Sequence, residues 1–168
     1  MDLRLTAKPR GPRPGSARRA DGVSYADLDE HLGYVLRRAQ LAGFEAFYRA
    51  TARVDITPPR YTALVIVGAN QGLTQSALGH ALGTARSGAK IVTDWLAARG
   101  LAVRCRLQGD ARAWGLFLTP RGRRQLAAVR RRVRAHDAAL ARRLSRAELA
   151  QLKRLLNKVA GPERARSR

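Results

Sequence analysis

The chain is poor in several kinds of residue, and each shortage excludes a class of protein. Its 168 residues include one cysteine, Cys105, so an internal disulfide and a cysteine-based zinc cluster are both excluded. No apolar run approaches the roughly 20 residues needed to span a bilayer, and the N-terminus lacks the apolar core of a signal peptide. We therefore expect a protein without a membrane span that works in a reducing cytoplasm.

Acidic and aromatic residues are scarce as well. Only 12 Asp and Glu stand against 33 Lys and Arg, which gives a formal net charge of +21. This imbalance indicates a polyanionic partner or an anionic surface, and nucleic acid is favoured because no membrane-spanning run accompanies the charge. Aromatic residues make up 5% of the chain and hydrophobic residues 45%, so the core must consist mainly of Leu, Val and Ala, which favours helices.

Hydrophobic periodicity predicts a mainly helical chain interrupted by one short hairpin. Apolar residues recur at spacings of three and four in most segments, whereas they alternate with polar residues over 102–107. Thr-Pro pairs and a Ser-x-x-Glu capping box mark three of the helix starts. The predicted order is helices over 25–51, 57–68, 74–82 and 85–99, strands over 102–107 and 114–118 joined by a turn at 109–110, and helices over 119–144 and 145–159.

The two helices between Thr74 and Gly100 are predicted to form a helix-turn-helix with a tight turn at Gly83. Its second helix would expose polar side chains that can pair with base edges and phosphates in a DNA major groove. Gly88 in this helix is either simply tolerated or permits a close approach of the backbone to DNA. The expected core residues are Leu78, Leu82, Ile91, Val92 and either Trp95 or Leu96, and the candidate DNA-binding residues are Thr84, Arg86, Ser87, Lys90 and Thr93.

A hairpin directly after the second helix is typical of a wing, whose tip reaches the neighbouring minor groove. The turn over 109–110 would present Arg112 to that groove, while Arg104 and Arg106 add positive charge on the first strand. We interpret Asp110 as a positioning residue that orients Arg112 through a short salt bridge. The candidate DNA-binding set therefore extends to the wing residues Arg104, Arg106, Asp110 and Arg112.

Several of these features, in register, resemble the MarR family of winged helix-turn-helix regulators. The run DITPPRYTALVIVGANQGLTQSALGHALGTARSGAKIVTDWLAARGLAVR is similar to the family's Ile-Thr-Pro helix start, its aromatic three residues later, its LTQ start, its recognition helix and its RGL end. GDARAW and LFLTPRG resemble the family's D-x-R wing and the helix entry that follows it. The similarity covers residues 30–158.

The resemblance implies a mainly α fold with a small two-stranded β wing, in which a winged helix-turn-helix is joined to a helical dimerisation region. It implies a homodimer that binds a pseudo-palindromic operator in double-stranded DNA and is associated with the nucleoid in a bacterial or archaeal cytoplasm. It also implies a regulator that is commonly a repressor released by a small aromatic acid, phenolic or aryl-coenzyme A ligand. The corresponding divisions are a dimerisation helix over 24–56, the winged DNA-binding domain over 57–118 and dimerisation helices over 119–160. Composition predicts basic disordered tails over 1–23 and 161–168. The first of these goes beyond the usual family core and is either a solvated leader or a basic arm that follows DNA phosphates or enters a minor groove.

Candidate effector contacts lie on the first two helices, because the family's pocket usually lies between the dimerisation helices and the winged domain. We predict contacts from His31, Tyr34 and Arg38 on the first helix and Tyr61 on the second. His136 lies on an apolar stripe and is interpreted as a packing or interface residue. Seven arginines between positions 121 and 134, with no acidic residue among them, suggest a surface that holds an anionic group.

Enzyme chemistry finds no support in the sequence. The three histidines are far apart, and the chain contains no H-E-x-x-H, G-x-S-x-G, P-loop or G-x-G-x-x-G motif. We therefore expect no metal site, no cofactor and no catalytic residue. The alternative function is a nucleoid-type protein that compacts nucleic acid without sequence preference, since a charge of +21 suits that activity equally well.

Overall fold

A computed structural model of the chain describes residues 18–52, 54–107 and 110–161, and the side chains of residues 110–112 lie outside the described part. Within these ranges the chain forms helices and one small antiparallel sheet, as its periodicity predicts. The elements are α1 (Leu32–Ala50), α2 (Pro58–Ala69), β1 (Leu73–Thr74), α3 (Gln75–Ala81), α4 (Arg86–Ala98), β2 (Ala102–Leu107), β3 (Asp110–Leu118), α5 (Pro120–Leu140) and α6 (Arg146–Ala160).

Most helix starts follow their sequence signals. Thr74 and Thr119 each accept a backbone N–H bond from three residues further on, which caps α3 and α5. Ser145 and Glu148 form a reciprocal capping box at the start of α6, and the hydrogen bonds from Ser145 lower the pKa of the Glu148 carboxyl. Thr57 precedes α2 without a side-chain cap bond, because prolines occupy the first two helical positions and leave fewer N–H donors.

The first predicted helix begins later than its apolar pattern indicates. A single 3-10 turn over Leu28–Glu30 precedes α1, and His31 then adopts an extended backbone with ψ 113°. An extended residue cannot continue an α-helix, so α1 begins at Leu32. Earlier still, Ala26 has a positive φ of 46°, which also excludes helix at that point.

The core joins the part of the chain from α2 to β3, the winged unit, to the end of α1. Leu64, Leu78, Leu96 and Val129 are completely buried where α2, α3, α4 and α5 meet, so Leu96 rather than Trp95 is the central residue of α4. The prediction that Ile91 belongs to this core is wrong, because its side chain is 67% exposed. The remaining buried apolar residues are Phe47, Ile56, Ala63, Val67, Ala89, Val92, Leu101, Ala102, Leu116, Leu118, Leu126 and Val133.

The sheet has three strands in the order β1-β3-β2, all antiparallel, where the sequence predicts two. The added strand β1 pairs Leu73 with Leu116 and Thr74 with Gly115. Two residues are too few to show the alternation that identifies a strand in a sequence. A Cβ at Gly115 would lie 2.7 Å from the carbonyl oxygen of Gly72, so glycine is needed for β1 to approach β3.

The glycine of the LTPRG run has a similar packing role. Gly122 is buried in the first turn of α5, and a Cβ there would overlap the carbonyl oxygen of Leu101. Because that oxygen belongs to the backbone, it cannot move aside as a flexible side chain can. Gly122 therefore fixes the docking of α5 against the segment between α4 and β2.

We expect Gly122→Ala to lower the free energy of unfolding by about 1–3 kcal/mol, as overpacking usually does. Urea denaturation followed by circular dichroism measures the change. The matched control is Gly33→Ala in α1, where a Cβ meets nothing within 4 Å. That substitution should be neutral or slightly stabilising, since alanine favours helix over glycine. Equal effects of the two substitutions would contradict the packing role.

Large apolar side chains remain exposed on the elements outside the winged unit. No residue of α6 is buried, although apolar residues recur along one of its sides. Among the described residues, no helix is both long and apolar enough to cross a membrane. The exposed apolar residues on these elements are Leu28, Leu32, Val35, Leu140, Leu144, Leu152, Leu155, Leu156 and Val159.

Candidate DNA-binding surface and effector groove

Helix α4 has one buried and one exposed face. Its buried face consists of Ala89, Val92, Thr93 and Leu96, which are spaced three and four residues apart and pack into the core. Its exposed face carries the predicted contacts Arg86, Ser87 and Lys90, together with Ile91; Thr84 is exposed just before the helix.

The prediction that Thr93 is exposed for DNA contact is wrong. Thr93 is completely buried, because its position lies on the same helix face as Ala89 and Leu96. Its hydroxyl lies 3.1 Å from Oε1 of Gln75 and accepts a hydrogen bond of 2.8 Å from Arg104. Thr93 thus joins α4 to α3 and to the first strand of the hairpin, and its role is structural.

Arg104 connects the hairpin to α4. Its Nη2 lies 2.7 Å from Oδ1 of Asp94 and 3.0 Å from Oε1 of Gln75. Asp94 also accepts a bond of 2.5 Å from Lys90 on its other oxygen. The hydrogen bond from Lys90 and, after it, the one from Arg104 lower the pKa of the Asp94 carboxyl. The carboxylate therefore stays ionised and binds both side chains. Arg104 therefore links the hairpin to α4 through side-chain bonds, a role that its place in the sequence did not reveal.

The hairpin presents a second basic residue beside an aromatic ring. Arg106 is paired across the strands with Trp114, and its guanidinium lies 5.4 Å from the centre of the Trp114 ring. A cavity of about 430 Å³ between the hairpin and α3 is lined by Gln75, Arg104, Trp114 and Leu116. The predicted turn over 109–110 falls partly on residues outside the described part, as do the side chains of Asp110 and Arg112, whose salt bridge stays a prediction.

Gly88 lies against the side chain of Thr84 within the protein. A Cβ at Gly88 would overlap the hydroxyl of Thr84 and lie 3.3 Å from its Cβ. The Thr84 side chain therefore occupies the space that a larger residue at position 88 would need. Thr84 is exposed and its side chain can rotate away, so this contact does not require glycine, and the two alternatives, simple tolerance or a close approach to DNA, stay open.

A separate groove lies where α1, α2 and α5 meet. It is a shallow, open groove of about 300 Å³. Phe47 forms its floor, with ring centres 5.9 Å from Tyr61 and 6.4 Å from His136. The His136 side chain is only 7% exposed, and its Nε2 lies 3.7 Å from Oδ1 of Asp137. The full lining is Gln40, Gly43, Phe44, Phe47, Pro58, Tyr61, Thr62, Val133 and His136.

The four predicted effector contacts are not brought together in the described chain. Tyr61 lines the groove, whereas His31, Tyr34 and Arg38 lie towards the other end of α1. There His31 occupies the N-cap position of α1 without a side-chain cap bond, and its Nε2 lies 3.2 Å from Oδ2 of Asp27. Arg38 lies over the Tyr34 ring and 3.4 Å from Asp29. His136, interpreted as a packing residue, does pack on Phe47 but also lines the groove.

Comparisons with known proteins identify relatives of nearly full length. A protein of Thauera aromatica, assigned as a transcriptional regulatory protein for the hcr operon, is 36% identical over 153 residues, which cover 90% of this chain and 91% of that protein. The transcriptional repressor CouR, solved on a 23-mer DNA duplex, is 36% identical with a TM-score of 0.78, covering 82% of this chain and 98% of CouR. A MarR-family protein of Mycobacterium tuberculosis, Rv2887 in complex with salicylic acid, is 26% identical with a TM-score of 0.63, covering 77% and 96%. No protein-family model matches the chain.

The chain belongs to the MarR family. The predicted fold class is confirmed, since the structure is mostly helical with a small antiparallel sheet. In a MarR-family regulator α4 is the recognition helix, and β2 with β3 forms the wing. The relatives are transcription regulators and not enzymes. Among the described residues, no group of three or more His, Cys, Asp or Glu is placed to hold a metal ion.

The arginines of α5 that are predicted to hold an anionic group have exposed side chains. Every arginine of the run lies on the outside of the helix, and Arg123 additionally donates a 2.9 Å bond to the carbonyl of Leu118. Arg132 stands one helical turn before His136, which places it next to the groove-lining stretch of α5. The exposed arginines of this run are Arg121, Arg123, Arg124, Arg130, Arg131, Arg132 and Arg134.

Proposed function

We propose that this protein is a homodimeric, sequence-specific DNA-binding regulator that represses transcription until an aromatic effector binds. The observation that carries the proposal is the exposed face of α4, which presents Arg86, Ser87 and Lys90 beside a wing fixed to the same helix by Arg104. Such a helix fits a major groove while the wing reaches the adjacent minor groove. CouR, a repressor with 36% identity, has been solved bound to DNA.

The proposal assigns DNA contacts to residues on two elements, α4 and the wing. Thr84, Arg86, Ser87 and Lys90 contact the major groove. Arg106 and Arg112 on the wing supply phosphate or minor-groove contacts, with Asp110 orienting Arg112. Arg104 acts mainly as a positioning residue, because its guanidinium is already bonded to Asp94, Gln75 and Thr93.

The exposed apolar residues of α1, α5 and α6 support a homodimer. Exposed apolar side chains that gather on particular elements of a protein mark surfaces for interaction with a partner. A helix such as α6, amphipathic and without a buried residue, is stable when its apolar side packs against a partner. The two α4 helices of such a dimer would address the two halves of a pseudo-palindromic operator.

The groove beneath α1 is the proposed effector site. Its aromatic floor and about 300 Å³ suit one aryl group, and Tyr61, His136 and Gln40 offer polar contacts to a phenol or carboxylate. CouR has been solved with p-coumaroyl-CoA and Rv2887 with salicylic acid. An aryl-coenzyme A effector would place its aryl group in the groove and its phosphates outside, where Arg132 and its neighbours on α5 are exposed.

Competition gel shifts test the DNA-binding part of the proposal. We expect the protein to prefer DNA from its own promoter region over random DNA by at least ~10³-fold at physiological salt. The comparison is made at two salt concentrations, because non-specific binding weakens steeply as salt rises. Comparable affinity for the two DNAs would instead support sequence-independent compaction, which the charge of +21 alone would also allow.

A further inference from the structure

Ile91 is the most exposed of the large hydrophobic side chains in the described part of the chain, at 67%. It lies on α4, away from the apolar surface of α1, α5 and α6 that we assign to the dimer. Single exposed hydrophobic residues are common on protein surfaces. Ile91 differs from such residues in its position, because it lies on the helix that the proposed function places in the major groove.

The side chains that neighbour Ile91 on the exposed face of α4 are polar. Ser87 lies one turn before it, and Lys90 is its immediate neighbour on the exposed face. The Lys90 ammonium is held by Asp94 at 2.5 Å, one turn further along the helix. The exposed Ser87 side chain is short, so it leaves room for α4 to approach the floor of a groove near Ile91. Ile91 would then be the large apolar group that meets the base pairs.

We propose that Ile91 reads thymine by packing against its 5-methyl group in the major groove. This inference rests on the proposed DNA-binding function and deepens it by naming a base. The thymine methyl is the one apolar group that base pairs display in the major groove, so an apolar side chain there discriminates thymine from cytosine. In a symmetric dimer the same contact occurs once in each half of the operator.

The test uses an operator that the full-length protein selects from random DNA. Each thymine in turn is replaced by deoxyuridine, which removes the methyl group and keeps the base pairing, and affinity is measured by fluorescence anisotropy. At one position in each half-site we expect the parent protein to lose about four-fold in affinity, the value for burying one methyl-sized group. Ile91→Ala should bind the unmodified operator more weakly and show no further loss with deoxyuridine there.

Two further variants isolate the contact. Ile91→Val keeps a branched apolar side chain and should keep most of the sensitivity to deoxyuridine. Val103→Ala removes an exposed apolar side chain of similar size from the wing and should leave the scan unchanged. If no thymine shows the loss, or if Ile91→Ala retains it, the inference is overturned although the protein still selects an operator. If no operator is selected at all, the proposed function itself fails.

Discussion

Replacing Leu152 and Leu156 by aspartate will give a monomer that binds the operator at least ~100-fold more weakly than the parent protein. Both side chains are exposed, at 41% and 40%, and they lie on one side of α6 with Val159. Charges on that side would stay unpaired in a dimer interface. A monomer can engage only one half-site, and it loses the gain of binding two at once. Sedimentation and fluorescence anisotropy measure the two effects.

The winged unit should survive this double substitution, because no residue of α6 is buried. The matched control is Gln151→Asp with Asn157→Asp, which adds the same charge to the same helix outside the apolar stripe. It should remain dimeric and bind the operator within a few-fold of the parent protein. A Leu152→Asp, Leu156→Asp protein that stays dimeric with full operator affinity would show that the dimer forms elsewhere.

Gly43→Phe will give a repressor that binds its operator normally and no longer responds to an effector. Gly43 lines the groove, and a Cβ there meets only Leu140, at 4.0 Å, so a side chain can begin at this position without a clash at its first carbon. The phenylalanine ring would occupy the space of the aryl group. We expect effector affinity to fall by at least about 100-fold, because the bound ligand would clash with the ring. The DNA-binding face of α4 is untouched.

The measurement has two readouts. A thermal-shift panel of aromatic acids, their coenzyme A thioesters and free coenzyme A first identifies a ligand that stabilises the parent protein. Release of labelled operator by that ligand then compares the parent protein with Gly43→Phe and with Gly43→Ala, whose methyl group is in ordinary contact and should preserve the response. An unchanged response in Gly43→Phe would place the effector elsewhere, and a panel without any stabilising ligand would weaken the effector-release part of the proposal.

The helices and the hairpin could be read from the sequence because their signals are local. Three helix starts are predicted by a capping residue that bonds a backbone N–H three positions further on, and the structure shows all three caps, at Thr74, Thr119 and Ser145. β1 could not be predicted, because two residues become a strand only through pairing with β3. Its presence depends on contacts between residues more than forty positions apart in the chain.

The faces of α4 show what periodicity alone cannot decide. Ile91 and Val92 are adjacent and equally apolar, so the sequence does not reveal which of them turns inward. Thr93 takes an inward position because Gln75 and Arg104 satisfy its hydroxyl. The link between Arg104 and Asp94, and the meeting of Tyr61 with His136 in one groove, likewise depend on how distant segments pack. These sites became visible only with the tertiary structure.

A hydroxyl-radical footprint on the selected operator tests the central claim most directly. A dimer of winged helix-turn-helix units should protect the DNA with two-fold symmetry, in two half-sites whose centres lie about 34–36 Å apart, or a multiple of that spacing. The same footprint should fade when a stabilising effector is added. Uniform protection without a symmetry centre, on operator and random DNA alike, would contradict a sequence-specific dimeric regulator.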